Sequence, residues 1–230
     1  MSRIFVTGDT HGKYDIHKLT TKAFPIQKEL TRDDFVIVAG DWGGVWDGAS
    51  SDRDVQNWWK EKPFTCCWLD GNHENFDLLS FYPVEEWKGG KIHRIAENII
   101  HLCRGQVYEI SGRSFYVFGG AISTDRVWRK EGISWWPQEE PNDEEEREGF
   151  LNLQKHQDQV DYILTHDGPA SVVSQIYAKE RRDYMPNHIS SAFDALARSI
   201  HFEHWYFGHH HEDLTIGRYT CCYQEVIEIM

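Results

Sequence analysis

Six short apolar runs, each stopped by a polar, glycine-containing turn, constrain this chain more than any other feature. They are RIFVTGDTHG, DFVIVAGDWGG, FTCCWLDGNHE, FYVFGGA, DYILTHDGP and HWYFGHHH. Their apolar parts are four to six residues long and dense in Val, Ile, Phe and Tyr, as in strands buried on both faces. Helical stretches between the early strands, Asp15 to about Leu30 and near Asp54 to Lys60, predict parallel βαβ units. VYEISGRSFYVFGG alternates around Ser111-Gly112, and LTIGRYTCCYQEVIEIM turns at Gly217. Both read as hairpins, so the sheets are expected to be mixed. NHISSAFDALARSI predicts a helix near 187–200, capped by Asn187 or Ser190.

A length of 230 residues suits one domain over 1–230, and no repeat or clear linker divides it. With 10 Trp, 10 Tyr and 12 Phe it can fill a large core. The formal net charge of −13 counts against a duplex nucleic acid as partner, since a polyanion is repelled at long range. A small phosphorylated substrate stays open if the site carries its own cations. No run is apolar enough to span a bilayer and no signal peptide is present, so the expectation is a soluble cytoplasmic protein without a membrane partner. Nothing in the sequence bears on oligomeric state.

The five cysteines include two adjacent pairs, Cys66-Cys67 and Cys221-Cys222, and no CxxC. They read as reduced strand residues, each pair with one core thiol and one outward thiol, and not as zinc ligands. Residues 121–150 break the strand pattern with a long, charged, aromatic stretch. Its acidic part, Glu139 to Glu148, reads as a solvated loop running into a helix start. The whole is expected to be a lid-like insertion. Trp135 and Trp136 read as packing residues, with stacking on a nucleobase as the alternative.

The strand ends carry the chemistry. Asp9 and His11 follow the first strand, Asp41 the second, and Asn72 and His73 the third. His166 follows DYILT, and His209, His210 and His211 follow HWYF. Sites in open α/β sheets form in the crevice at the carboxyl ends of strands, so these side chains are expected to converge. Carboxylates, an amide and imidazoles suit Mn²⁺, Fe or Zn²⁺ without any thiolate. Each block alone is weak: Gly-Asp after a strand is an ordinary turn. The blocks GDTHG, GDWGG, GNHE, THDGP and GHHH in this order are far more specific than any one of them.

Together they resemble the calcineurin-like metallophosphoesterase superfamily, over Gly8 to His211. The resemblance implies an α/β (α+β) fold, a four-layer αββα sandwich with two mixed β-sheets flanked by helices. It implies two divalent ions, with Mn expected and Fe, Zn or Ni possible. Asp9, His11 and His211 would hold the first ion and Asn72, His166 and His209 the second, with Asp41 bridging. His73 would lie beside the phosphate, stabilising the phosphoryl oxygens or protonating the leaving group, and His210 would point away. The implied activity is phosphate-ester hydrolysis by a metal-bridging hydroxide, as a phosphatase or phosphodiesterase on a small or nucleotide-like substrate.

The chain departs from the protein serine/threonine phosphatase branch, whose second block is GDxVDRG. Gly44 stands at the second Asp of that block, and its Arg is missing. Asp47 or Asp70 is then a candidate to orient His73, and Arg126 and Arg129 of GGAISTDRVWRK are candidates to grip phosphate. Protein phosphatase and non-catalytic metal-binding scaffold are the alternative readings. The scaffold reading predicts missing ligands, and every ligand position here is filled.

Overall fold

The computed structural model describes residues 2–179 and 181–230. The first half of the chain forms β1 (Ile4–Thr7), β2 (Phe35–Val38), β3 (Thr65–Leu69), β4 (Val84–Trp87), β5 (Gly90–Ala96) and β6 (Ile99–Leu102). The second half forms β7 (Gln106–Ile110), β8 (Arg113–Phe118), β9 (Tyr162–Thr165), β10 (His204–Phe207), β11 (Leu214–Ile216), β12 (Tyr219–Cys221) and β13 (Ile227–Glu228). Five helices accompany them among the described residues: α1 (Ser50–Lys60), α2 (Phe76–Leu79), α3 (Asp143–Lys155), α4 (Ala170–Lys179) and α5 (His188–Ser199).

One sheet runs β13-β1-β2-β3-β6-β5-β4 and the other β11-β12-β10-β9-β8-β7. In each, four parallel strands form the middle, β1-β2-β3-β6 and β8-β9-β10-β12. Antiparallel strands close the edges, so both sheets are mixed as expected. Their inner faces share one core, in which Val6, Ile37 and Leu69 of the first sheet meet Phe115, Val117 and Leu164 of the second. Outside the first sheet, Val38 and Trp68 pack with Val55 and Trp59 of α1. Outside the second, Ile163 and Trp205 pack with Leu153, Val173 and Phe193 of α3, α4 and α5. Helix, sheet, sheet, helix is the four-layer αββα sandwich.

The hairpin at Ser111-Gly112 joins β7 to β8 with both turn residues at positive φ, 55° and 81°. These are the signs that a two-residue turn needs to match strand twist. The tail turns at Gly217, as expected, but its last strand crosses over: β13 pairs with β1 of the other sheet. Helix α5 is capped by Asn187, whose side chain accepts from Ser190 N at 2.8 Å while Ser190 Oγ accepts from Asn187 N at 3.1 Å.

Several expectations need correcting. Residues 15–30 form no α-helix but two short 3-10 turns, Ile16–Leu19 and Pro25–Glu29. Thr20 leaves the helical path with ψ 156°, and Pro25 excludes α geometry at Phe24. Both members of each cysteine pair are buried, because the sheets are covered on both faces. Glu139 is no solvated loop residue; its side chain is fully buried, and the helix begins later, at α3 with its capping box of Asn142 and Glu145. The hairpin β4–β5 and strand β6 carry no apolar-run-plus-turn signature and were not anticipated.

Candidate metal and active site

The carboxyl ends of β1, β2 and β3 meet those of β9 and β10 across the sandwich. Every block sits where a strand stops. Asp9 and Asp41 are buried, as are Asn72 and His166, while His11, His73 and His209 are half-buried and His211 is exposed. Glycines before these residues let the blocks approach. A Cβ on Gly71 would occupy the place of the Asp41 carboxylate, and one on Gly40, at φ 94°, that of the His166 ring. His11, Asp41, His209 and His211 all hold positive φ, between 42° and 66°. Strained backbone of this kind persists only where surrounding contacts over-determine it, and it gathers at functional sites.

Two halves are visible, with Asp41 between them. In the first, ligand atoms of Asp9, His11 and His211 lie within 4.8 Å of one another. His211 Nε2 is 2.9 Å from Asp9 Oδ2, yet that buried oxygen has no hydrogen-bond partner among the described residues. Close lone-pair donors that do not bond to each other suit a shared cation. In the second half, Asp9, Asp41 and His166 form another such group. His166 Nε2 lies 3.1 Å from Asn72 Oδ1, and the His209 ring packs 5.0 Å from the His166 ring. His209 lies outside the tight groups; its ring contact with His166 and its backbone N–H, donated to Asp9 Oδ1 at 3.1 Å, link it to this half. Asp41 turns Oδ2 to His11 Nε2 at 3.3 Å and Oδ1 to His166 Nε2 at 3.4 Å.

The rings of His11 and His166 are held from behind, as those of metal-binding histidines usually are. Asp15 Oδ2 takes His11 Nδ1 at 2.8 Å, which leaves Nε2 facing Asp41. Ala39 O does the same for His166 Nδ1 at 2.8 Å. Asn72 donates its amide to Ser123 Oγ at 3.0 Å, so its carbonyl oxygen faces inward. Ser123 in turn donates to the buried Glu139, and Arg126 pairs with Glu139 and Glu140. The cation Lys18 Nζ is buried and donates to the carbonyls of Gly8, Asp9 and Tyr223. Burial pulls it down to about 8. Glu74, the last letter of GNHE, accepts from Trp42 N at 2.8 Å; burial lifts its carboxyl well above the usual range.

The electrostatics favour cations. Burial opposes charge on Asp41, but His166 and His11 outweigh it and hold the carboxyl well below its ordinary range. Burial likewise works against charged His11 and His166, yet Asp41 and Asp9 raise them to about 9 and about 10. Burial, with His210 and His166 close by, pushes His209 down to about 3, so its ring is neutral, the form that can bind a metal.

His73 hydrogen-bonds through its backbone N–H to Asp41 Oδ1 at 2.7 Å. Neither sequence candidate orients its ring. Asp70 is bound to Arg104 and His101, and Asp47 accepts from Ala49 N and Ser51 at the head of α1. Instead Arg129 donates to His73 Nε2 at 2.9 Å. Of the two arginine candidates Arg129 alone comes to the site; Arg126 is spent on its glutamates, because Glu139 is buried and needs a cation. His210 points away, bonding Asp167 through Nε2 at 2.9 Å. Trp136 is buried, and its indole donates to Asp77 at 2.9 Å. Trp135 lies under the Arg126 guanidinium, so packing describes both. Beside His11 and His73 opens a cleft of about 650 Å³ walled by Tyr14, Trp46 and Val55, a volume that suits a small-molecule ligand.

The model of the calcineurin-like phosphoesterase family matches residues 2–213. The chain belongs to the calcineurin-like phosphoesterase family. It is thus a metal-dependent hydrolase of phosphoric esters, with clustered ligands to hold the metal. No curated protein matches this phosphoesterase. None of its described helices is long and apolar enough to cross a membrane. Asp15, Lys18 and Glu139 escaped the sequence reading. Only Asp15 left a signal, its spacing of four from His11.

Proposed function

We propose that this phosphoesterase works with two divalent ions and hydrolyses the phosphate ester of a small or nucleotide-like molecule. The observation that carries the reading is the Asp41 carboxylate, which offers one oxygen to each half of the site. Asp9, His11 and His211 belong to the first ion, Asn72, His166 and His209 to the second, and Asp41 to both. Nitrogen and oxygen donors without thiolate suit Mn²⁺, with Fe, Zn²⁺ or Ni²⁺ as the other candidates. Bound there, the ions supply Lewis acidity at the phosphoryl oxygens and an acidified water as nucleophile.

The chain's own groups do the rest. Asn72 contributes a neutral ligand, which limits negative charge where a phosphate must enter. His73 is kept neutral by burial and by the Arg129 cation, and its Nε2 is already accepting from Arg129. Its remaining proton is on Nδ1, so His73 serves as a hydrogen-bond donor to a phosphoryl oxygen in preference to a general acid. Arg129 brings fixed positive charge to the same spot, where charge builds during phosphoryl transfer. Residues 121–150 then act as a lid that delivers Arg129 and steadies Asn72 through Ser123. The cleft beside Trp46 and Tyr14 receives the leaving group. Five free cysteines suit work in a reducing compartment such as the cytoplasm.

Hydrolysis of para-nitrophenyl phosphate and bis-para-nitrophenyl phosphate with added Mn²⁺ tests the reading and separates monoester from diester preference. The expected result is turnover of at least one of them, abolished in Asp41→Asn. Undiminished turnover in that variant would remove Asp41 from the mechanism.

A further inference from the structure

At the carboxyl end of β6, one strand beyond the β3 block, a second cluster of soft ligands sits on β5, on β6 and just beyond it. His93 Nδ1 faces His101 Nδ1 at 3.0 Å, and Cys103 Sγ lies 3.8 Å from the same His93 nitrogen. All three ligand atoms fall within 4.8 Å of one another. The register of the hairpin produces this: His93 is paired directly with His101, so the two rings stand side by side, 5.3 Å apart with planes 9° from parallel. Cys103 is two residues beyond His101, on the same side of the strand.

We propose that His93, His101 and Cys103 form a separate site for a thiophilic divalent ion of the zinc class. Three features carry it. The first is spacing: ligands at zinc bond lengths of about 2.0–2.1 Å for nitrogen and about 2.3 Å for sulfur stand roughly 3.3–3.6 Å apart in a tetrahedral site. The observed 3.0 Å and 3.8 Å need shifts of only a few tenths of an ångström. The second is the support behind the ligand. His101 turns its other nitrogen, Nε2, to the buried Asp70 carboxylate at 3.2 Å, the carboxylate–histidine–metal arrangement that fixes the tautomer with Nδ1 as the lone pair. Arg104 holds that carboxylate in turn. The third is access: His93 and Cys103 are half-buried while His101 is buried, so the cluster opens on one side and water can complete the coordination. Burial leaves His93 neutral, pushed down to about 4. Binding breaks the Cys103 S–H bond, forms a metal–thiolate bond and releases the proton to solvent.

The strand-end site contains no sulfur, so thiolate chemistry reports on the new site alone, whatever becomes of the catalytic reading. Cobalt(II) titrated into the full-length protein under reducing conditions is the probe. The expected result is a thiolate-to-cobalt charge-transfer band in the near ultraviolet that saturates at one ion per chain and is displaced by Zn²⁺. Cys103→Ser should abolish the band and His93→Ala should weaken Co²⁺ binding at least tenfold. Cys103→Ser should also keep the hydrolytic activity, since Cys103 touches nothing at the strand-end site. Absence of the band in the wild-type protein, or its survival in Cys103→Ser, would overturn the proposal and leave the two rings as a hydrogen-bonded pair.

Discussion

His210 shows how residues adjacent in sequence divide their work. It stands between two ligand positions, yet its ring turns back to Asp167, which also accepts from Asn187. His210→Ala would leave a fully buried carboxylate short of a partner, a loss on the order of 3 kcal/mol. The expected outcome is a lowered melting temperature with Mn²⁺ stoichiometry unchanged, checked by calorimetry and metal analysis. A variant that loses metal would place His210 among the ligands. The residues of the strand-end cluster were legible because each stands within four residues of a strand end, and strand ends are marked by glycine. Lys18, Asp70 and Glu139 were not, since their partners lie nine or more residues away in sequence, outside any helical or strand repeat. Asp70 meets Arg104 and Glu139 meets Arg126 and Ser123 only after the chain has folded. Nothing local distinguishes such residues from surface charge.

At the scale of elements, the 121–150 segment has the least regular sequence and the densest polar ties to the site. Its two arginines separate the roles. Arg129→Ala removes the donor to His73 and should lower kcat/KM roughly tenfold to a thousandfold, with the melting temperature little changed. Arg126→Ala strands the buried Glu139 and should cost stability first, on the order of 3 kcal/mol. Steady-state kinetics and melting curves on both variants check this, and equal effects would collapse the distinction. Elements with strong local signals, such as the Ser111-Gly112 hairpin and the capped α5, were legible. The 15–30 region was misread because its helical spacing is overridden by Pro25 and by tertiary anchoring of Lys18. The β4–β5–β6 unit carries a weak local signal because β4 and β5 are largely exposed or half-buried, while buried β6 is interrupted by His101.

Across the whole molecule the two ends of the sandwich differ in purpose. The carboxyl ends carry the strained site, and the opposite ends are fastened by carboxylates. Asp34 accepts from Arg3 N and Thr31 N, each at 2.7 Å, joining the starts of β1 and β2. Asp161 accepts from Ser114 N at 2.7 Å and pairs with Arg113 at 2.7 Å, joining β8 and β9. Burial works against ionising either one, but these hydrogen bonds outweigh it and hold both below the ordinary carboxylate range. A depressed folded pKa contributes stability above the unfolded value, near 3.8, and loses it as pH falls through the folded value. Asp34→Asn should therefore cost about 2 kcal/mol at neutral pH. In urea melts its deficit against wild type should shrink as pH drops below about 4. A deficit independent of pH would exclude the ionised carboxylate as its source.

In the proposed mechanism one carboxylate, Asp41, joins two metal positions contributed by both sheets. Mn²⁺ titration followed by electron paramagnetic resonance addresses it directly, because Mn²⁺ favours the oxygen- and nitrogen-rich crevice over the thiolate cluster. Saturation at two ions per chain with an exchange-coupled signal, uncoupled in Asp41→Asn, is the expected result. Saturation at a single ion, or two ions that show no coupling in the wild-type protein, would contradict it.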